Sequence, residues 1–225
     1  MSSATITTSA RLINSTPQTE EQAMVRKVAV SSFLGNFIEW FDYASYSYFA
    51  TTIALVFFPT DNHTVAMLQT FGVFALSFIL RPIGALFWGS YGDKKGRKAA
   101  LAHSIMFMSG ASFLIGCLPS YSVIGVGAPI LLLLLRMVQG FSASGEYAGA
   151  ATFLGEYAPT SKRGIYCSLI PASTAIGLLA GSTLATLMTA NMNSSAMVGW
   201  GWRVPFLLAG PLGLIVLYIR SEERL

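Results

Sequence analysis

Six ionisable residues fall inside long apolar stretches of this sequence: Glu39, Asp42, Arg81, Arg136, Glu146 and Arg203. An ionised side chain at the centre of a bilayer costs roughly 2.5 to 3.5 kcal/mol on insertion scales, so these groups must pair with one another or line a water-filled cavity. Three acids facing three bases suits either arrangement. Static pairing would hold a bundle together, although buried pairs are weak contributors to stability. The alternative chemistry is proton exchange. Desolvation and a nearby guanidinium act on a carboxyl in opposite directions, so a carboxyl that alternately gains and loses an Arg partner can take up and release a proton. Glu39 and Asp42 are the candidate proton carriers, with Arg136 or Arg81 as partner.

The elements that must position them are membrane-spanning helices. Hydrophobic residues make up 53% of the 225 residues and charged residues 11%, against roughly 25% charged in a soluble domain, and the mean hydropathy is +0.59. The apolar residues fall in six blocks, 28–58, 65–90, 99–118, 128–157, 165–189 and 202–219. Each is near the twenty or so residues that a helix rising 1.5 Å per residue needs to cross about 30 Å of hydrocarbon. Breaker residues separate the blocks, including Pro59, Gly92 with Gly96, Pro119, Pro159 and Asn191. The short breaks favour packed antiparallel neighbours. Counting the rise from one face places Glu39, Arg81 and Glu146 at about one level, with Asp42 one turn further along and nearer to Arg136. Gly140, Gly145 and Gly149 space as small residues that let helices approach closely.

Lys94, Lys95, Arg97, Lys98, Lys162, Arg163 and Arg220 collect on one side of the six spans, with Arg26 and Lys27, which the positive-inside rule makes cytoplasmic. Both termini are then cytoplasmic. The net charge of +4 follows from that rule, and no basic face interleaved with aromatics points to nucleic acid. Residues 1–27 lack the apolar core of a signal peptide and read as a disordered cytoplasmic tail. The bundle occupies 28–219 and a cytoplasmic end 220–225. Cys117 and Cys167 read as buried thiols near opposite faces, and His63 and His103 are too far apart for a shared metal site. No cofactor is indicated. No HExxH or GxSxG occurs, so an enzyme is not expected.

The segment Gly89-Ser90-Tyr91-Gly92-Asp93-Lys94-Lys95-Gly96-Arg97-Lys98 resembles the GxxxDRxGRR signature that the major facilitator superfamily carries between its second and third helices. Arg136-Met137-Val138-Gln139-Gly140 resembles its RxxQG helix-4 motif, which that family associates with proton coupling. More narrowly, Glu39-Trp40-Phe41-Asp42, Arg81-Pro82-Ile83-Gly84, Gly145-Glu146-Tyr147 and the run from Trp200 to Pro205 resemble the metabolite:proton symporter family, nearest its proline/betaine branch, over residues 28–219. The resemblance implies an all-α membrane fold of six helices arranged as two inverted three-helix repeats, the N-terminal half of the superfamily fold. It also implies a conformational charge cluster of Asp93, Arg97, Glu156 and Arg163, with Gly89 and Gly96, that latches the outward-facing state.

The resulting expectation is proton-coupled symport of a small zwitterionic or carboxylate solute across a bacterial inner membrane. Glu39, Asp42 and Arg136 would couple protons, and Arg81, Glu146 and Tyr147 would contact solute, the planar guanidinium suiting a carboxylate. Family members carry twelve helices, so a second six-helix bundle, from a copy of this chain or another half, is an expected partner besides protons, solute and the lipid bilayer. The competing expectation is a non-transporting remnant or an interaction partner of a full-length carrier.

Overall fold

A computed structural model describes residues 3–221, with side chains from residue 22 onward. Among the described residues the chain is helical throughout: α1 (Ser3–Tyr48), α2 (Ala50–Phe57), α3 (His63–Ile79), α4 (Arg81–Lys95), α5 (Arg97–Cys117), α6 (Tyr121–Ile124), α7 (Gly127–Tyr157), α8 (Arg163–Asn191), α9 (Ser194–Gly199), a short 3-10 turn (Gly201–Arg203) and α10 (Val204–Ser221). Much of the tail expected over 1–27 falls outside the described side chains, but residues 22–27 are helical and Val25 is buried, so the packed bundle starts before residue 28. Residues 222–225 of the expected cytoplasmic end also fall outside the described residues, and Arg220 and Ser221 belong to α10.

Local chemistry sets the breaks. Asn62 caps α3, its side-chain oxygen accepting from the Thr64 and Val65 amides at 3.0 and 3.3 Å. α3 and α4 together form one crossing, interrupted at Leu80 because Pro82 has no amide hydrogen to continue the ladder. That interruption makes Arg81 the first residue of α4. α4 ends at Gly96, whose φ of 92° is a conformation side chains other than hydrogen rarely adopt.

Five crossings, His63–Lys95, Arg97–Cys117, Gly127–Tyr157, Arg163–Asn191 and Gly201–Ser221, are long and apolar enough to span a membrane by length and composition. The first expected span, α1 with α2, is not among them. It carries Ser31, Ser32, Asn36, Glu39, Asp42 and Ser45, all of which are buried inside the bundle, so its polarity faces protein.

The helices pack as two exchangeable sets of three. α1 lies on α8 while α3 and α4 lie on α7, and α5 lies on α7 while α10 lies on α1; α5 also packs on α10. Exchanging the first three crossings for the last three maps these pairs onto one another. Because each set crosses an odd number of times, the two repeats run in opposite senses. Glycines permit the matching close approaches: a Cβ at Gly140 would collide with the Ser77 carbonyl on α3, and one at Gly177 would stand 2.8 Å from the Phe37 carbonyl on α1.

Three apolar layers fill the bundle along its length. One contains Tyr46, Ile115, Leu132 and Phe206, a middle one Ile38, Ile105, Ala143 and Ala209, and the third Val28, Leu101, Phe153 and Ile170. Two buried polar clusters lie between these layers, one at Asp42 and Arg136 and the other at Glu146 and Arg220.

Candidate functional site

Asp42 and Arg136 meet between the first two layers. Arg136 Nη1 donates to Asp42 Oδ2 at 2.6 Å, with both side chains at most 4% exposed. Ser112 Oγ donates to Asp42 Oδ1 at 2.9 Å, and Gln139 Nε2, one turn from Arg136 on α7, donates to the same oxygen at 3.2 Å. The Arg136 guanidinium stacks 3.9 Å from the Tyr46 ring centroid, and Tyr46 sits one turn beyond Asp42 on α1. The acid is on one three-helix repeat and the base on the other. The pair is therefore one of the polar links between the two repeats at that level, with Gln139 bonding Asp42 and Ser112 beside it.

Glu39 and Arg81 form a second pair, in which the Tyr43 hydroxyl also bonds the guanidinium. This one is asymmetric: the Arg81 side chain is 26% exposed and that of Glu39 1%. Arg81 lies 5.1 Å from the Tyr43 ring and 4.7 Å from the Phe78 ring, and Trp40 meets Tyr43 edge-on with centroids 5.7 Å apart. Glu39 Oε2, Arg81 Nε and Trp40 Nε1 are buried without a hydrogen-bond partner in the structure.

Glu146 does not pair with Arg81. Its oxygens are taken by Arg220 Nη2 at 2.5 Å and Ser104 Oγ at 3.0 Å. Arg220 also donates to the Leu101 carbonyl on α5 and, at 3.5 Å, to the Ser31 carbonyl on α1. Arg220, read from sequence as a cytoplasmic-face residue, is 2% exposed. The sequence signal that could have found it is the third buried acid, which needs a third buried base. Arg203, which filled that place in the charge balance, instead donates to the Gly116 and Leu118 carbonyls at 2.9 and 2.5 Å, capping the end of α5. Tyr147 is 45% exposed, one residue from the buried Glu146 and about 100° around the helix.

At the basic end, Arg97 lies 4.0 Å from Asp93 and 3.6 Å from Glu156, all three largely exposed. Gly89 has open space where a Cβ would stand. Arg163, the first residue of α8, joins no ion pair among the described residues. Cys117 is exposed and Cys167 partly exposed, which corrects the reading of both as buried thiols. No group of three His, Cys, Asp or Glu gathers to hold a metal among the described residues.

Comparison with known proteins adds three results. A family model described as sugar (and other) transporter matches residues 27–221. The glycine betaine/proline/ectoine/pipecolic acid transporter OusA of Dickeya dadantii is 44% identical over 200 residues, covering 89% of this chain and 40% of that protein. The proline/betaine transporter of Escherichia coli K12 is 42% identical, with the same coverage. This chain thus spans about 40% of the length of those relatives. Among solved structures, the major facilitator proton:xylose symporter XylE bound to 6-bromo-6-deoxy-D-glucose superposes with a TM-score of 0.78 at 16% identity, over 89% of this chain and 45% of that one. The inward-open XylE of E. coli gives 0.75 at 16% identity, over 88% and 47%.

Proposed function

The chain belongs to the sugar (and other) transporter family, within the major facilitator superfamily, and from that premise we propose that it is one half of a proton-coupled symporter for a small zwitterionic or carboxylate solute. It is a multi-pass membrane protein, and the proposal places it in a bacterial inner membrane with both termini cytoplasmic. The Lys and Arg residues gathered at the Arg97 end support that orientation.

The observation that carries the proposal is the Asp42 and Arg136 pair, buried at a joint between the two repeats and supported by Ser112 and Gln139. A proton on Asp42 removes the charge that holds Arg136, so proton occupancy and the packing of the repeats are coupled. Arg81, the partly exposed base, receives a solute carboxylate. Glu39 lies beneath it and can act as a second proton carrier. Glu146 is already bonded to Arg220 and Ser104, so of the three expected solute contacts Arg81, partly exposed, and Tyr147, exposed, are the ones left accessible in the present geometry. Asp93, Arg97 and Glu156 form the latch that favours one orientation of the bundle against its partner. That partner is a second six-helix bundle, since alternating access requires a body to rock against. The names of the proline/betaine transporters support the solute class.

The test is uptake of radiolabelled glycine betaine and proline into proteoliposomes containing the chain, with an imposed proton gradient. The expected result is gradient-dependent accumulation that Asp42→Asn abolishes, in a preparation whose native mass corresponds to at least two bundles. Uptake that persists in Asp42→Asn removes Asp42 from the mechanism, and a strictly monomeric chain overturns the transport reading.

A further inference from the structure

At the end of the bundle opposite Arg97, the three connections 58–62, 118–126 and 192–200 contain no Lys or Arg. All three contribute to the wall of one cavity of about 370 Å³, through Pro59, Ser120 with Ser122, and Val198. That volume falls within the roughly 300–1,000 Å³ of small-molecule sites. Arg203 is the one charged residue in the wall, and Asp61, the one acid of those connections, does not line it. The guanidinium is held in place from two sides. Its Nη1 donates to the Gly116 and Leu118 carbonyls at the end of α5, and its plane lies 4.6 Å from the ring centroid of the buried Trp202. Nη1 has no further hydrogen to give. Nε and Nη2, the opposite edge of the group, make no hydrogen bond or ion pair among the described residues, and both remain accessible. Ser120 Oγ and Ser122 Oγ lie 2.7 Å apart in the same wall, and whichever donates to the other, one hydroxyl hydrogen is left free.

We propose that this cavity binds a phosphate group, gripped by the free edge of Arg203 and by a hydroxyl of the Ser120 and Ser122 pair. The edge formed by Nε and Nη2 matches two oxygens of a phosphate in the bidentate geometry that makes Arg the residue for such groups. A hydroxyl hydrogen serves a third oxygen. One guanidinium balances the single charge of a phosphodiester, and the wall holds no acid to oppose it. The position in the membrane suits the same ligand. α5 ends at Cys117 and the last crossing begins at Gly201, so Arg203 stands at the span ends, where lipid headgroups lie. Trp200, beside the cavity in sequence and 57% exposed, is the kind of amphipathic ring that sits at headgroup level. Leu55, Val56 and Val198 add an apolar wall for a glycerol or acyl segment. A phospholipid headgroup and a free phosphate ion share this chemistry. No member of the Asp42 or Glu39 pairs lines the cavity, so the site stands apart from the transport reading.

The experiment follows the thermal midpoint of the full chain in dodecyl maltoside, a detergent without phosphate, as ligand is added. The probes are dihexanoylphosphatidylglycerol, dihexanoylglycerol, which has the same chains without the phosphate, and sodium phosphate measured against sodium chloride of equal ionic strength. The expected result is a rise with the phosphatidylglycerol and none with the diacylglycerol. A rise with the phosphatidylglycerol alone assigns the site to a lipid headgroup, a rise with inorganic phosphate as well assigns it to any phosphate group, and a rise with inorganic phosphate alone assigns it to the free ion. Each supports the proposal when Ser122→Glu removes it. That change, at an exposed position, sets a carboxylate beside Arg203 without disturbing its bonds to α5, and weakens binding at least about tenfold. Arg203→Gln is expected to weaken it as much, and Ser122→Glu carries the test if loss of the bonds to α5 prevents that variant from folding. An equal rise with dihexanoylglycerol, a response unaltered in Ser122→Glu, which places the anion at the basic Arg97 end instead, or no response to any probe overturns the proposal.

Discussion

Arg220 and Glu146 form a 2.5 Å ion pair between the last turn of α10 and the middle of α7, and the same guanidinium also donates to carbonyls of α5 and α1. Four of the six crossings are therefore tied at a single level. α1 comes close enough there that a Cβ at Gly35 would collide with Glu146. The Asp42 and Arg136 cluster ties α1, α5 and α7 about two helical turns away, through Ser112 on α5 where the lower cluster uses Ser104. Two polar joints of this kind cross-link the helices of the bundle at two levels.

The lower joint is expected to behave as a desolvated pair. Glu146→Gln or Arg220→Gln alone leaves a buried charge uncompensated and should destabilise the bundle by about 3–5 kcal/mol. The double change Glu146→Gln with Arg220→Gln should cost less than the sum of the two, with a coupling of about 1 kcal/mol or more. Unfolding in detergent of the unaltered chain and the three variants, all with Cys117→Ser and followed through the reactivity of the partly exposed Cys167, measures both values.

Tyr46 is expected to matter more for its ring than for its hydroxyl. The ring lies 3.9 Å under the Arg136 guanidinium, whereas the hydroxyl makes one 2.9 Å bond to the Thr70 carbonyl. Tyr46→Phe keeps the ring and should cost about 0.5–1.5 kcal/mol. Tyr46→Leu removes a desolvated cation–π contact as well and should cost about 2 kcal/mol beyond that. The same unfolding measurement separates them, and equal costs would show that the ring contributes nothing to holding Arg136.

Much of this arrangement was legible in the sequence because membranes constrain it strongly. Long apolar blocks and isolated buried charges admit few folds, so the crossings at α3 with α4, α5, α7, α8 and α10 follow from hydropathy. α1 fails that criterion for the same reason that it matters: its polar residues face protein, which hydropathy averaging cannot distinguish from exposure to water. The rise per residue places Asp42 nearer Arg136 than Glu39 is, and the two bond. It does not identify the partner of Glu146, since depth alone does not give the helix face, and Glu146 bonds Arg220 on α10 and Ser104 on α5. Arg220 was missed because a base at the end of a span looks like a topology signal. Only the tertiary fold shows that it turns inward.

Helix approach gives a contrast between two glycines. A Cβ at Gly140 would collide with the backbone carbonyl of Ser77, which cannot move without shifting α3, while a Cβ at Gly72 would meet nothing within 4 Å. Gly140→Ala should cost about 1–3 kcal/mol through overpacking. Gly72→Ala, in the interior of α3, should gain about 0.5–1 kcal/mol from reduced chain entropy. Opposite shifts of the thermal midpoint are the expected result, and a shift of the same sign in both would place the α3 and α7 contact elsewhere.

The Asp93, Arg97 and Glu156 cluster should separate structural from conformational roles. Its side chains are 40–73% exposed at separations of 3.6 and 4.0 Å, so solvent and salt screen the attraction and Arg97→Ala should cost the isolated bundle no more than about 1 kcal/mol. Gly96 is different, because its φ of 92° with ψ of 145° lies where a β-carbon is strained, and Gly96→Ala should cost about 1–3 kcal/mol. If the cluster only shapes the turn, both variants affect transport in proportion to their stability. If it latches the bundle against a partner, Arg97→Ala impairs transport far more than its small stability cost accounts for, whereas Gly96→Ala loses both together. Paired measurement of unfolding and uptake for the two variants decides between these outcomes.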